Sequence, residues 1–572
     1  MKNTLLIAIL LAAFFTGLQA QDRDDYGIWA RGNRYEQIKF PFKGIEASPA
    51  WSDIEPNEGE FNWSEVDEKL EEAEKLGLYV LLSINVGPDA PNWLYEKDVE
   101  KVMTEGHRHS GPYPEYTKPV HIQHYYRLIE EFGRHVRSLP AGQVKRISSV
   151  QVKTGATGDE SPHKGDLLDD KFEISNKAWT DFRLAAFKKF QHAFQEGAGP
   201  VIPLMFTSVV GEKFDPSLID WISDNVKGGW GTKMGGTGQG YQINDEVNRT
   251  AAILPHTIDP APDTWELFTR CEMDQGWKEG IYKKNIKQAF YWTSLSALHS
   301  GLSMWNMAQS ALDWHQENNF WVDALFFNEY AGQTHSTEAT GAFCALREGL
   351  DSSDTEKFPE AEFGNASIKN ADRYLAICVS RSAYGAKMDD VSGVLAGMMK
   401  QRRGQEGLND AGWGIFRGNY ERFLHQIDAD KTSVGWWRVG GAITPDSPIY
   451  GRFARGFEHA SGKDRMGFDI KDTFFSGQPL AGAYPIKVRI VYYDKGHGQW
   501  ALNYDATDNS DKRAATITNT DSREWKEIVL LLKDAQFGNR GPNGADLSLI
   551  NTDDEDDIFH IVEIGRPPQQ VN

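Results

Sequence analysis

The sequence predicts an α/β protein: a (β/α)8 TIM barrel with a helical extension and a C-terminal β-sandwich. Three observations predict it. Residues 39–345 alternate short apolar runs with amphipathic helical runs, the mark of parallel β/α units. Residues 310–430 read as mostly helical, closing the barrel and extending it, with acidic loops near 351–365. From about 431 short alternating strands are separated by Gly, Asn and Asp turns, the texture of a sandwich. A chain of 572 residues is long enough for two or three such units. The expected organisation is a signal peptide over 1–20, a catalytic barrel over 21–345, a helical extension over 346–430, and a sandwich over 431–572 that is a candidate for carbohydrate binding.

Residues 1–20 carry Lys2, then an apolar stretch from Leu5 to Phe15, then small and polar residues ending at Ala20. This is the order of a secretory leader, so a secreted or periplasmic protein is expected. No later run reaches the roughly 20 apolar residues of a membrane helix, and no membrane span is expected. The first strand candidate is Phe42–Ala47. Trp51-Ser52-Asp53-Ile54-Glu55-Pro56 follows, with Glu55 fixing the turn. Asn62 and Glu65 have capping-box spacing. The helix behind them places Val66, Leu70, Ala73 and Leu76 on one face and ends at Gly77. Leu78–Asn85 reads as a strand buried on both faces. A long polar loop, 86–119, contains Trp93, His107 and His109 and belongs on the functional face. A helix around Tyr125–Val136 precedes the strand Ile147–Lys153, which leads into Gly155-Ala156-Thr157-Gly158-Asp159-Glu160. Pro200–Val209 is a strand, and Gly228-Gly229-Trp230-Gly231 opens a flexible stretch up to Gly240. The strand Trp265–Arg270 ends at Cys271-Glu272, helix Asn285–Leu298 follows, and Gly301–Met307 is the last barrel strand. In the sandwich the expected strands are Ile486–Tyr493, Trp500–Tyr504, Ala514–Thr518, Glu527–Leu532 and Ile558–Ile564.

The net charge of −21 argues against nucleic acid as a partner, because phosphate neutralisation needs Lys/Arg surfaces. It argues weakly against a densely sulfated polymer too, although a local basic cleft overrides a global field. Eighteen Trp suit either sugar stacking or large aromatic cores. Three Cys make no disulfide framework; a Cys344–Cys378 bridge is permitted, and buried thiols are the simpler reading. The histidines are too scattered for a metal centre, and no cofactor is expected. The Asp553–Asp557 run is either a Ca²⁺ loop or a solvated acidic turn.

Barrel chemistry sits at the C-terminal ends of strands. Two glutamates occupy such ends. Glu160 follows a strand and a Gly-rich turn; its alternative is a loop or capping carboxylate. Glu272 closes a strand; its alternative is a salt bridge to Arg270, which the alternation of strand residues between faces is expected to weaken. Two carboxyl groups about 5–5.5 Å apart would hydrolyse a glycosidic bond with retention. The substrate-binding candidates are Glu46, Asn85, Trp93, His109, Asp159, Trp230, Trp277 and Trp305, with each Trp alone equally readable as core.

The run WSDIEPNEGEFNW (Trp51–Trp63) resembles the first β/α unit of clan A glycoside hydrolases, especially the family 42 β-galactosidases, and LLSINVGPDAPNWL (Leu81–Leu94) resembles their second strand. The resemblance spans roughly residues 40–310. It implies an acid/base at the end of strand four and a nucleophile at the end of strand seven. Those roles fall on Glu160 (VQVKTGATGDE) and Glu272 (LFTRCEMD), with Trp305 in GLSMWNM as the cleft-floor Trp. The family places Asn before its acid/base; here Asp159 stands there. The loop, extension and sandwich are similar to marine galactan hydrolases acting on agar or carrageenan, such as family 167. The implied protein is a retaining β-glycoside hydrolase whose partner is a galactan or galacto-oligosaccharide. An inverting hydrolase and a non-catalytic glycan-binding barrel stay open as alternatives, and the oligomeric state is unread.

Overall fold

The computed structural model describes residues 24–566 other than 108–109, 157–160, 198, 208–215, 227, 235–257, 260–266, 274–276, 278–284, 348–354, 357, 367–369, 371, 374–375, 377–417, 438, 440–443 and 476–484. The predicted leader lies outside these residues, as do the greater part of the predicted extension and Cys378. Eight parallel strands close into a barrel: β1 Gly27–Arg31, β2 Gly44–Ala47, β3 Tyr79–Leu82, β4 Ile147–Gln151, β5 Leu204–Thr207, β6 Trp230–Met234, β7 Leu267–Glu272 and β8 Met304–Ala308. Each pairs with its sequence neighbours, and β1 closes the ring on β8 with Gly27 opposite Met304. The helices α1 Ser64–Leu76, α2 Pro119–Ser138, α3 Asn176–Gln195, α4 Pro216–Asn225, α5 Ile286–His299, α6 Gln309–Glu317 and α7 Val322–Ala331 follow β2, β3, β4, β5, β7 and β8.

The count of strands corrects the sequence reading by one. Gly27–Arg31 is β1, so Phe42–Ala47 holds β2 and Leu78–Asn85 holds β3. The Trp51–Trp63 unit therefore follows the second strand. Strands four and seven keep their numbers, because the stretch around Trp230, expected to be flexible, is β6. Its glycine is there for space: a Cβ on Gly231 would meet the Phe268 ring at 2.4 Å inside the barrel.

The turn after β2 explains its sequence. Trp51–Ile54 forms one helical turn, and the buried Glu55 accepts from Trp51 Nε1 (2.9 Å) and the Gly59 amide (2.7 Å) and pairs with Arg127 of α2. Asn62 accepts the Ser64 amide, and α1 buries Val66, Leu70 and Ala73 and stops at Gly77 with φ +73°. Leu76, expected on that face, is exposed.

Beyond the barrel two antiparallel sheets face each other. One orders β10 (Tyr420–Arg422), β9 (Gly341–Ala345), β20 (Ile558–Gly565), β13 (Phe453–Gly456) and β12 (Val434–Trp437), with β15 (Ile486–Tyr493) bridging β20 and β18 (Trp525–Leu532). The other orders β11 (Leu424–Gln426), β14 (Arg465–Ile470), β19 (Leu547–Asn551), β16 (Gln499–Tyr504) and β17 (Lys512–Thr518). The five predicted strands are present, but the sheets start earlier than residue 431. Gly341–Ala345 pairs along β20, and Tyr420–Gln426 is strand rather than helix. A five-residue buried run such as GAFCA has no periodicity to separate strand from helix.

Barrel and sandwich share one continuous apolar core that includes Phe343, Phe453, Val491 and Ile561 together with α5. Trp292 packs edge-on to Phe453, Tyr291 Oη lies 2.8 Å from His560 Nε2, and Asn285 donates to the Thr444 and Ser447 carbonyls. Cys271 and Cys344 are buried thiols. The acidic run works as turn caps: Asp553 accepts the Gln499 amide, Glu555 those of His497 and Gly498, and Asp556 that of His459.

Candidate active site

The C-terminal mouth of the barrel gathers charged side chains from five strands. Glu46 of β2 reaches across the lumen to Arg270 of β7, with which it forms an ion pair, and its Oε1 accepts from Asn306 Nδ2 of β8 at 2.9 Å. β2 neighbours neither β7 nor β8, so all three side chains point inward. Arg270 and Glu272 are two residues apart and therefore share a strand face, with Arg270 Nη1 3.5 Å from Glu272. Alternation thus favours that ion pair, against the expectation. Lys233 Nζ of β6 lies 2.9 Å from Glu272 Oε1, and Arg31 Nη1 of β1 lies 3.5 Å from Oε2. Lys153, just past β4, donates to Asn85 Oδ1 at 2.6 Å, and Asn85 Nδ2 donates to the Ser48 carbonyl.

The electrostatics follow from this crowding. Burial alone would raise the Glu272 pKa, but Lys233, Arg270 and Arg31 outweigh it and hold the carboxyl at about 2. Glu272 is therefore a carboxylate across the physiological range. It remains 20% exposed, enough to be reached from the mouth. Burial, reinforced by Lys233, pushes the Lys153 ammonium down to about 8. Arg270 is lowered by burial yet stays a cation.

Glu160, Asp159 and His109 lie outside the described residues. The residues that flank Glu160 are placed: the Ala156 amide donates to the Ser161 carbonyl at 3.1 Å, and a Cβ on Gly155 would meet Ser161 O at 2.2 Å. Further along, Asp166–Leu167 pairs with Thr104–Glu105 of the loop after β3. Of the other candidates, Glu46 and Asn85 are at the mouth. The tryptophans do not form a platform there. Trp305 is fully buried and packs on Phe290 of α5 and Phe327 of α7, outside the barrel. Asn306 next to it takes the inward position, so the cleft-floor expectation is corrected by one residue of strand parity. Trp230 packs on Phe206, and Trp277 on Phe290 and Trp314, all in the shell between strands and helices. Trp93 is partly buried, edge-on to Trp51 and donating to the Glu55 carbonyl. Sequence reasoning missed Arg31, Lys153, Lys233 and Asn306, and discounted Arg270 as a partner of Glu272. Their signal was present: each is a polar or charged residue at or near the end of an otherwise apolar barrel strand. Among the described residues no group of three or more His, Cys, Asp or Glu is arranged to hold a metal ion.

No curated protein sequence matches the chain. Among solved structures it is similar to a β-galactosidase from the psychrophilic Marinomonas ef1, at 13% identity over 49% of this chain and 53% of that one, with a TM-score of 0.32. A cold-adapted β-galactosidase from Rahnella sp. R3 matches at 10% identity over 54% and 57%, with a TM-score of 0.33. The catalytic domain of a β-amylase from Paenibacillus polymyxa matches at 9% identity over 54% and 99%, with a TM-score of 0.38. The chain spans little more than half the length of these two β-galactosidases. The family model described as β-galactosidase, glycoside hydrolase family 42, matches residues 39–165. The chain is thus a closed eight-stranded parallel barrel whose segment from β2 to just past β4 is similar to the family 42 β-galactosidases.

Proposed function

We propose that the protein is a secreted retaining β-glycoside hydrolase acting on a β-linked galactan or galacto-oligosaccharide of the agar or carrageenan type. The observation that carries the reading is Glu272: an inward carboxylate at the C-terminal end of β7, kept ionised by three cations and open to the barrel mouth. The match over residues 39–165 supports the glycosidase class. In this reading Glu272 attacks the anomeric carbon while protonated Glu160 gives its proton to the leaving oxygen. A water deprotonated by Glu160 then hydrolyses the glycosyl-enzyme, and Glu160 regains its proton. Glu46, Asn85 and Asn306 supply polar atoms for sugar hydroxyls around that carbon.

The test is kinetic. Glu272→Gln lowers kcat by at least about a thousandfold, the scale on which a nucleophile's loss is felt. Glu160→Ala is impaired on oligosaccharides and recovers with aryl glycosides whose leaving groups need no proton. Near-normal turnover by Glu272→Gln, or first release of the inverted anomer, overturns the reading.

A further inference from the structure

Lys153 has a position that hydrolysis of a neutral sugar does not explain. An ammonium can donate three hydrogen bonds, and Lys153 Nζ donates to Asn85 Oδ1. Among the described residues no carboxylate lies within ion-pair distance of it. The charges that reach it are Lys233, Glu272, Asp89 and Arg31. Two of these repel it. Of the two that attract it, Glu272 is already shared by Lys233, Arg31 and Arg270, and Asp89 is exposed on the loop after β3. The side chain is half-buried. Among the described residues this cation has no counter-ion of its own, and an enclosed charge so placed is costly; sugar hydroxyls do not repay that cost as an anion would.

We infer that Lys153, flanked by Lys233 and Arg31, binds an anionic substituent, a sulfate ester or a carboxylate, on the sugar whose anomeric carbon faces Glu272. The inference rests on the glycosidase reading for the identity of that sugar. The net charge of −21 does not oppose it. Exposed acids more than about 8–10 Å away are screened by salt, whereas the ammonium in the pocket is not.

The full-length protein is assayed on matched β-linked galacto-oligosaccharides in three forms: neutral, sulfated and uronate-bearing. The expected result is a kcat/KM for one anionic series about tenfold or more above the neutral series, the scale of a charged hydrogen bond. In Lys153→Met that ratio collapses towards one. The sulfated and uronate arms tell which substituent is recognised. The same sugars are titrated calorimetrically into Glu272→Gln and into Glu272→Gln/Lys153→Met. If no sugar is cleaved, the hydrolase reading fails, and a Kd ratio that depends on Lys153 still carries the anion site. Equal or better use of the neutral series, or an anionic preference that Lys153→Met leaves unchanged, overturns the inference.

Discussion

Glu272 and Lys153 show how single residues in one lumen take opposite electrostatic fates. Burial opposes charge on both. Three cations override it for Glu272, while Lys153 has like charges beside it and loses. The carboxyl pKa is depressed, so its stabilising contribution is complete above its ordinary value of 4.5 and fades as pH falls to about 2. The acid limb of kcat/KM is accordingly expected well below pH 4.5. In Lys233→Met, with one cation gone, that limb moves up towards 4.5; a pH–rate profile that does not move would show that Lys233 does not set it. For Lys153 the unfolded chain holds its proton more tightly than the folded one, so this residue's effect on stability improves as pH rises from about 8 towards 10.5. Lys153→Met is expected to raise unfolding free energy by about 1 kcal/mol at pH 7, discounted for partial exposure, with the gain fading as pH rises from about 8 and largely gone by 10.5. Urea titrations at the two pH values check it. At this scale Glu272 was legible because a strand pattern ends on it. The cations around it were not, because a Lys or Arg at a strand end reads equally well as a solvated boundary.

At the scale of elements, the turn from Trp51 to Gly59 is a local device that the sequence spelled out. Glu55 is fully buried and serves Trp51, Gly59 and Arg127 together. Glu55→Gln keeps the shape but leaves Arg127 only its longer contact with Glu58 at 3.8 Å; a loss of about 1–2 kcal/mol in unfolding free energy is expected, checked by chemical denaturation. A loss under about 0.5 kcal/mol would mean the turn holds by backbone bonds alone. Helices α1, α2 and α5 were readable from their periodic faces. Strand β1 was not: GIWAR is five residues long, stands apart from the alternating pattern read from residue 39, and ends in an arginine that points to Glu272. The tryptophans were misplaced for a related reason. Parity along a strand decides between lumen and helix layer, and Trp305 and Asn306 differ by one step.

At the scale of the molecule, α5 is the shared element. Its Tyr291 and Trp292 are buried against His560 and Phe453 of the sandwich, and apolar residues of both parts form one core. Barrel and sandwich are therefore expected to unfold in a single calorimetric transition with matching van't Hoff and calorimetric enthalpies. Two resolved transitions would show that the shared core does not couple them. The division of the chain near residue 345 was drawn from texture alone, and texture does not report that Gly341–Ala345 pairs with Ile561–Gly565, more than two hundred residues away.

By itself the sequence determined the alternation of strands and helices, the closing turns, the sandwich strands with clear two-residue periodicity, and Glu272 at the end of a barrel strand. These are set by neighbours within about ten residues, where side-chain period and backbone preference act directly. Tertiary structure decided the rest: that eight strands close with Gly27–Arg31 first, that Trp305 turns outward while Asn306 turns in, and that Arg31, Lys233 and Arg270 converge on one carboxylate while Lys153 turns to Asn85. Each of those outcomes is fixed by barrel closure, which brings together residues that no local pattern relates.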